Sequence, residues 1–198
     1  MLQPDSSKLE VNPDNVIDLN HQDMFKYLKK VIINEVSKED SVFVLCILSH
    51  GVRGHVYASD SVKVNMDDFQ NLLDSDIAVH LHGKPKLFII QACQDAETPC
   101  RTLVADSPEG NYTLKKTNFL IYWATAPELN AYRDVSNGSI FIQWLCRIIL
   151  ENADKDHICD IFTKATDRVT LICEELGCVQ VPIYHSTLRK KLYLRKPK

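Results

Sequence analysis

Two uninterrupted apolar runs constrain this chain more than any other feature. Residues 41–48 read SVFVLCIL and residues 86–91 read KLFIIQ. Apolar side chains in succession, rich in β-branched types, mark a strand covered on both faces, as in a parallel sheet. Both runs stop abruptly, the first at Ser49-His50-Gly51 and the second at Gln91-Ala92-Cys93. In open α/β sheets functional groups collect just beyond the carboxyl ends of the strands. If the two strands are neighbours, His50 and Cys93 face each other across one edge.

The surrounding pattern fits that arrangement. Residues 1–14 have no periodicity and read as a loose leader, and 16–19 as a short strand. Asn20 is placed as an N-cap with Asp23 in a box-like position. Met24, Leu28, Val31, Ile32, Ile33 and Val36 then predict an amphipathic helix over 21–36. A short helix is expected at 66–73, a third strand at 118–125, and helices at 138–152 and 154–176. Residues 179–194 read as one or two strands. Strands alternating with helices predict an α/β layered fold with a mostly parallel sheet.

The totals narrow the function class. The 198 residues suffice for one domain with a sizeable core. A net charge of -3, with only a few short Lys/Arg clusters, speaks against nucleic acid as a partner. The longest apolar stretch, 42–48, is too short to span a bilayer, so no membrane is expected. The N-terminus shows no secretory signal, so a cytoplasmic or nuclear location is the expectation. Seven scattered cysteines without a CxxC pair argue against a disulfide framework or a zinc ribbon. No metal or cofactor is expected. Cys46, Cys146, Cys159 and Cys173 lie in apolar periodic segments and are expected to be buried thiols.

Cys93 stands apart because of its setting. A thiol attacks as thiolate, and a nearby imidazole takes its proton and later returns it to the leaving amine. Gly51 lets the backbone approach closely and offers an N–H to an oxyanion, with the Cys93 N–H as a second donor. Singly, each residue reads as structural. Together at two strand ends they point to nucleophilic catalysis.

Longer motifs carry a resemblance. QACQD matches four of the five positions of the caspase signature Q-A-C-[RQG]-G. FVLCILSHG and GKPKLFIIQAC resemble the strands leading into that family's histidine and cysteine. ATAPE and AYRDVSNGSIFIQ resemble the start of its small subunit. STLRKKLYL is similar to the C-terminus of the family's keratinocyte member. From about Asp18 to Leu194 the chain thus resembles the caspases, endopeptidases that cut after aspartate in cell death or differentiation.

The resemblance implies a three-layer α-β-α fold around a mostly parallel sheet. It implies Cys93 as nucleophile, His50 as general acid/base, and Gly51 and Cys93 amides as the oxyanion hole. Gln91, Arg133 and Ser139 would line the pocket for the substrate aspartate, where a guanidinium grips a carboxylate through paired hydrogen bonds. It divides the chain into a large-subunit part (15–98), a linker (99–116) and a small-subunit part (117–198), with Asp106 as a self-cleavage site of a zymogen. The implied partners are a protein or peptide substrate with aspartate at the cut, and a second caspase chain, identical or different. The dimer would form through the last strand, about 179–184, within which Pro182 removes a ladder donor.

Three departures temper these implications. Set against the resemblance, the residues before His50 are expected to begin near the family's second strand, without its first. No arginine precedes Arg53, so a second arginine of the aspartate pocket is absent from this chain; such a contact is worth roughly 1.5–3 kcal/mol. Gln94-Asp95 replaces the usual Arg-Gly after the nucleophile. A weak or inactive caspase-like regulator that heterodimerises with an active relative is the first alternative. An amidohydrolase of another Cys-His type is the second.

Overall fold

The computed structural model describes residues 18–95, 116–134 and 138–194. In chain order its elements are α1 (His21–Asn34), β1 (Phe43–Leu48), β2 (Gly51–Val52), β3 (His55–Tyr57), β4 (Lys63–Asn65) and α2 (Met66–Leu73). A 3-10 turn (Asp76–Leu81) and β5 (Lys86–Gln91) follow, then β6 (Phe119–Trp123), β7 (Arg133–Asp134), β8 (Gly138–Ser139), α3 (Ile140–Asn152), α4 (Ile158–Glu175) and β9 (Ile183–Ser186).

The main sheet has the order β1-β5-β6-β9. β1, β5 and β6 are parallel, and β9 runs antiparallel to β6. Ile32, Leu73, Phe88, Ile90 and Phe119 build the core on the α1–α2 face. Leu87, Leu120, Tyr122, Phe141 and Phe162 build it on the α3–α4 face. The alternation along β5 sends Phe88 and Ile90 one way and Leu87 and Ile89 the other, which is why this strand is buried throughout. The result is an α-β-α sandwich with a mostly parallel centre, as expected.

Local chemistry explains the boundaries. The Asn20 side chain accepts from the Asp23 N–H at 2.9 Å and donates to the Asp23 carboxylate at 2.8 Å. This reciprocal pair starts α1 where the sequence indicates. The helix stops at Asn34, two residues short of the expected end. Asn65 caps α2 through the Asp67 N–H, and Ser139 caps α3 through the Ile142 N–H. Residues 18 and 19 are not strand, and the rest of the strand expected at 16–19 lies outside the described residues.

The structure corrects three other expectations. β1 is not buried on both faces: Val44 is 46% exposed and Leu48 60%. β1 ends the sheet, and α3 and α4 cover β5 and β6 instead, so only Phe43, Leu45 and Ile47 meet the core. Consequently Cys46 is exposed, as is Cys146 on α3, and Cys159 is half-buried; only Cys173 is enclosed. Desolvation, reinforced by Cys178, pushes the Cys173 thiol up to about 12. Finally, the last strand is Ile183–Ser186 rather than 179–184. Pro182 precedes it, so the ladder loses no donor.

Candidate active site

β1 and β5 pair with a constant offset of 43 residues, from Phe43 opposite Lys86 to Leu48 opposite Gln91. The pairing continues past the strand ends. The Ser49 N–H donates to the Gln91 carbonyl at 3.0 Å, and Val52 bridges Asp95 in parallel at the same offset. The Arg53 N–H donates to the Asp95 carbonyl at 3.3 Å. His50 is therefore in register with Cys93, on adjacent chains just beyond the carboxyl ends of two parallel strands.

Gly51 makes this approach feasible. A Cβ there would lie 2.7 Å from the His55 carbonyl oxygen, 2.8 Å from the Ala92 Cβ and 2.9 Å from the Cys93 carbonyl oxygen. No larger residue fits between the two chains without displacing backbone. Behind Gly51 the chain folds into the small antiparallel sheet β2-β3-β4, which the sequence did not announce. The Ser49 hydroxyl donates to the Tyr57 carbonyl at 2.6 Å, and the Tyr57 N–H donates to the His50 carbonyl at 2.9 Å. This hairpin braces the histidine backbone from the side away from Cys93, and the His50 side chain is left exposed.

A second group of residues, from the segment after β6, lies against Cys93. The Ala131 N–H points at the Cys93 sulfur from 3.5 Å, and the Ala131 carbonyl oxygen lies 3.9 Å from it. Gln94 stitches this segment down. Its N–H donates to the Leu129 carbonyl at 3.1 Å, its carbonyl accepts from the Glu128 N–H at 2.7 Å, and its buried amide donates to the Thr125 carbonyl. On the far side, buried Gln180 accepts from the Tyr132 N–H at 2.8 Å and donates to the Ala124 carbonyl at 2.9 Å.

Of the expected substrate-pocket residues, Gln91 and Ser139 meet directly: the Ser139 hydroxyl donates to the Gln91 side-chain oxygen at 2.6 Å. Arg133 joins them through the backbone, paired with Ser139 in the β7–β8 ribbon. Arg133 is exposed and borders a hollow of about 430 Å³ with Trp144, Gln143 and Cys178 among its lining. Neither Cys93 nor Gln91 lines that hollow. The structure thus brings His50, Gly51, Cys93, Gln91 and Ser139 to one end of the sheet, with Arg133 one ribbon away. Asp106 and nearly all of the linker lie outside the described residues, as does the leader.

The caspase domain model of peptidase family C14 matches residues 7–193. This chain belongs to the caspase family. It is 32% identical over 197 residues to Caspase-3 of Bos taurus, covering 94% of this chain and 70% of the relative. It is 31% identical over 199 residues to Caspase-6 of Gallus gallus, with 89% and 65% covered. Caspase-8 of Drosophila pseudoobscura pseudoobscura is 32% identical over 177 residues, or 89% of this chain and 34% of that protein. Caspase membership makes the chain a cysteine endopeptidase of the hydrolase class, and gives the register of His50 and Cys93 its chemical meaning.

Sequence reasoning missed Ala131, Asn130, Gln94 and Gln180. Each acts through a loop carbonyl or N–H and carries no pattern of its own. The one available signal was polarity without periodicity: Gln180 and Gln94 are glutamines in otherwise irregular segments, and both prove to be buried.

Proposed function

We propose that this chain hydrolyses peptide bonds after aspartate, with Cys93 as nucleophile and His50 as general acid/base. The observation that carries the reading is the in-register placement of His50 beside Cys93, maintained on both sides by the 43-residue offset. His50 takes the thiol proton, the thiolate attacks the scissile carbonyl, and the imidazolium returns the proton to the leaving amine. Water then releases the acyl group from Cys93. The Gly51 and Cys93 N–H groups stabilise the oxyanion, and Gly51 is the residue type that tolerates the required approach. Gln91 and Ser139 form the wall of the aspartate pocket, and Arg133 supplies its guanidinium once the β7–β8 ribbon turns toward the substrate.

Biologically, the reading places the chain in apoptosis or differentiation, in the cytoplasm or nucleus, matured from a zymogen by a cut at Asp106. Its division into a large-subunit part (15–98) and a small-subunit part (117–198) belongs to the same proposal. Dimerisation through β9, an end strand of the sheet with exposed Tyr184, His185 and Ser186, suits either an identical chain or another caspase.

A specific observation favours a second reading, a weak caspase-like regulator of an active relative. Arg133, the expected guanidinium of the pocket, borders a hollow that Cys93 does not line. The test is an irreversible Asp-containing peptide ketone applied with and without kosmotropic salt, read by intact mass. A single adduct, absent from Cys93→Ala, supports the peptidase. No adduct on folded protein refutes it and leaves the regulator.

A further inference from the structure

Asp95 occupies a junction. Its backbone is tied to the His50 hairpin through the Arg53 N–H and the Val52 bridge. Its side chain is tied to the opposite wall of the site. With the Asn130 amide turned nitrogen-inward, Nδ2 lies 3.0 and 3.1 Å from the two Asp95 carboxylate oxygens. Asn130 immediately precedes Ala131, whose N–H and carbonyl sit against the Cys93 sulfur.

We propose that Asp95 and Asn130 form a positioning clamp that seats the Ala131 peptide on Cys93 and keeps the nucleophile covered when no substrate is bound. The inference rests on Cys93 being the nucleophile of the proposed function. The Ala131 N–H and carbonyl together face the thiol's acceptor and donor capacity. The proton of Cys93 is then directed at Ala131 rather than His50. An incoming peptide must displace this contact before the sulfur is free to attack. The Gln94 bonds to Leu129 and Glu128 hold the base of the segment, while the Asp95–Asn130 pair holds its tip, nearest the sulfur. Both clamp residues are exposed, so the pair is accessible to competition from water and from substrate. Neither side chain touches the reacting atoms; both act through the position of Ala131.

The test is the rate of Cys93 alkylation by iodoacetamide, followed by peptide mapping, in the full chain and in Asn130→Ala, Asp95→Asn and the exchanged double variant Asp95→Asn with Asn130→Asp. Asn130→Ala should raise the rate by about two- to tenfold, the range of one exposed hydrogen bond, and Asp95→Asn should raise it by less, because its amide oxygen still accepts from Asn130. The exchange keeps one carboxylate and one amide in contact and should return the rate to that of the parent. Unchanged or slower alkylation in the single variants overturns the clamp. So does a raised rate that the exchange does not restore, which would make charge or loop slackness the cause. Asp95→Asn is near-isosteric and keeps the test open if Asn130→Ala melts early. Iodoacetamide needs no aspartate pocket, so failure of the peptide ketone to label Cys93 sinks the peptidase reading while leaving this measurement informative.

Discussion

The two halves of the site are held by different means. His50 and Cys93 are positioned mainly by backbone pairing that continues a six-residue parallel ladder, with the Ser49 hydroxyl bracing the hairpin behind it. The segment around Ala131 is held by side chains reaching across loops, from Gln94, Gln180 and Asn130, and Ser139 is bonded to the Gln91 side chain. A backbone ladder is cooperative and tolerates most surface substitutions, because its bonds do not depend on residue type. Side-chain tethers are individually worth about 1 kcal/mol and are lost singly. The first half therefore holds His50 and Cys93 in a fixed register. The second depends on individual side chains and should respond to single substitutions.

The sharpest way to break the contrast is to attack the first half where residue type does matter. Gly51→Ala places a Cβ under 3 Å from three atoms, two of them backbone oxygens. We expect a loss of about 3 kcal/mol of stability from overpacking, seen in urea unfolding. Labelling by the peptide ketone should fall with it, even under conditions where the variant is folded. A variant of parent stability with parent labelling would show that the two chains are not held as closely as the register requires.

The second half should give a smaller and more local response. Gln180→Ala removes the part-buried acceptor of the Tyr132 N–H and the buried donor to the Ala124 carbonyl. The expected cost is about 2 kcal/mol. Because the β1–β5 register is untouched, iodoacetamide should reach Cys93 faster, not slower, as residues 129–133 loosen. Slower alkylation would mean that this segment organises the nucleophile rather than covering it. Ser139→Ala is milder still. It removes the N-cap of α3 and the bond to Gln91, and should cost about 1 kcal/mol in thermal or urea unfolding. Parent stability would show that the hydroxyl contributes nothing to the cap.

The same contrast explains what was legible in the sequence. The His50–Cys93 half could be read because its cause is local: two apolar runs, each ending in a reactive residue, and one glycine between them. The N-terminus of α1 could be read because Asn20 and Asp23 cap within three residues of each other, and α2 begins just after a similar local cap at Asn65. The exposure of β1 could not. SVFVLCIL has the composition of a strand covered twice, and nothing in it records that α3 and α4 sit over β5 and β6 instead. The tethers of the second half were equally silent. Gln94 is 31 residues from its partner Thr125, and Gln180 is 48 from Tyr132. Such pairs follow from the finished topology, not from any periodicity.

Thr125 offers the finest test of the comparison. It sits at the root of the covering segment, fully buried, and its carbonyl is the anchor for the Gln94 amide. Its hydroxyl has no hydrogen-bond partner among the described residues. A buried hydroxyl without a partner costs about 1–3 kcal/mol relative to its hydrated state. Thr125→Val keeps the β-branched shape, retains the backbone carbonyl and removes the unmatched polar atom. Stability should rise by up to about 1 kcal/mol, with alkylation of Cys93 unchanged because every tether of the 125–131 segment remains. A loss of 1 kcal/mol or more would show that the hydroxyl is bonded after all. If alkylation rose as well, that bond would belong to the tethering of Ala131, and the second half would be held by one contact more than its glutamines and its Asp95–Asn130 pair provide.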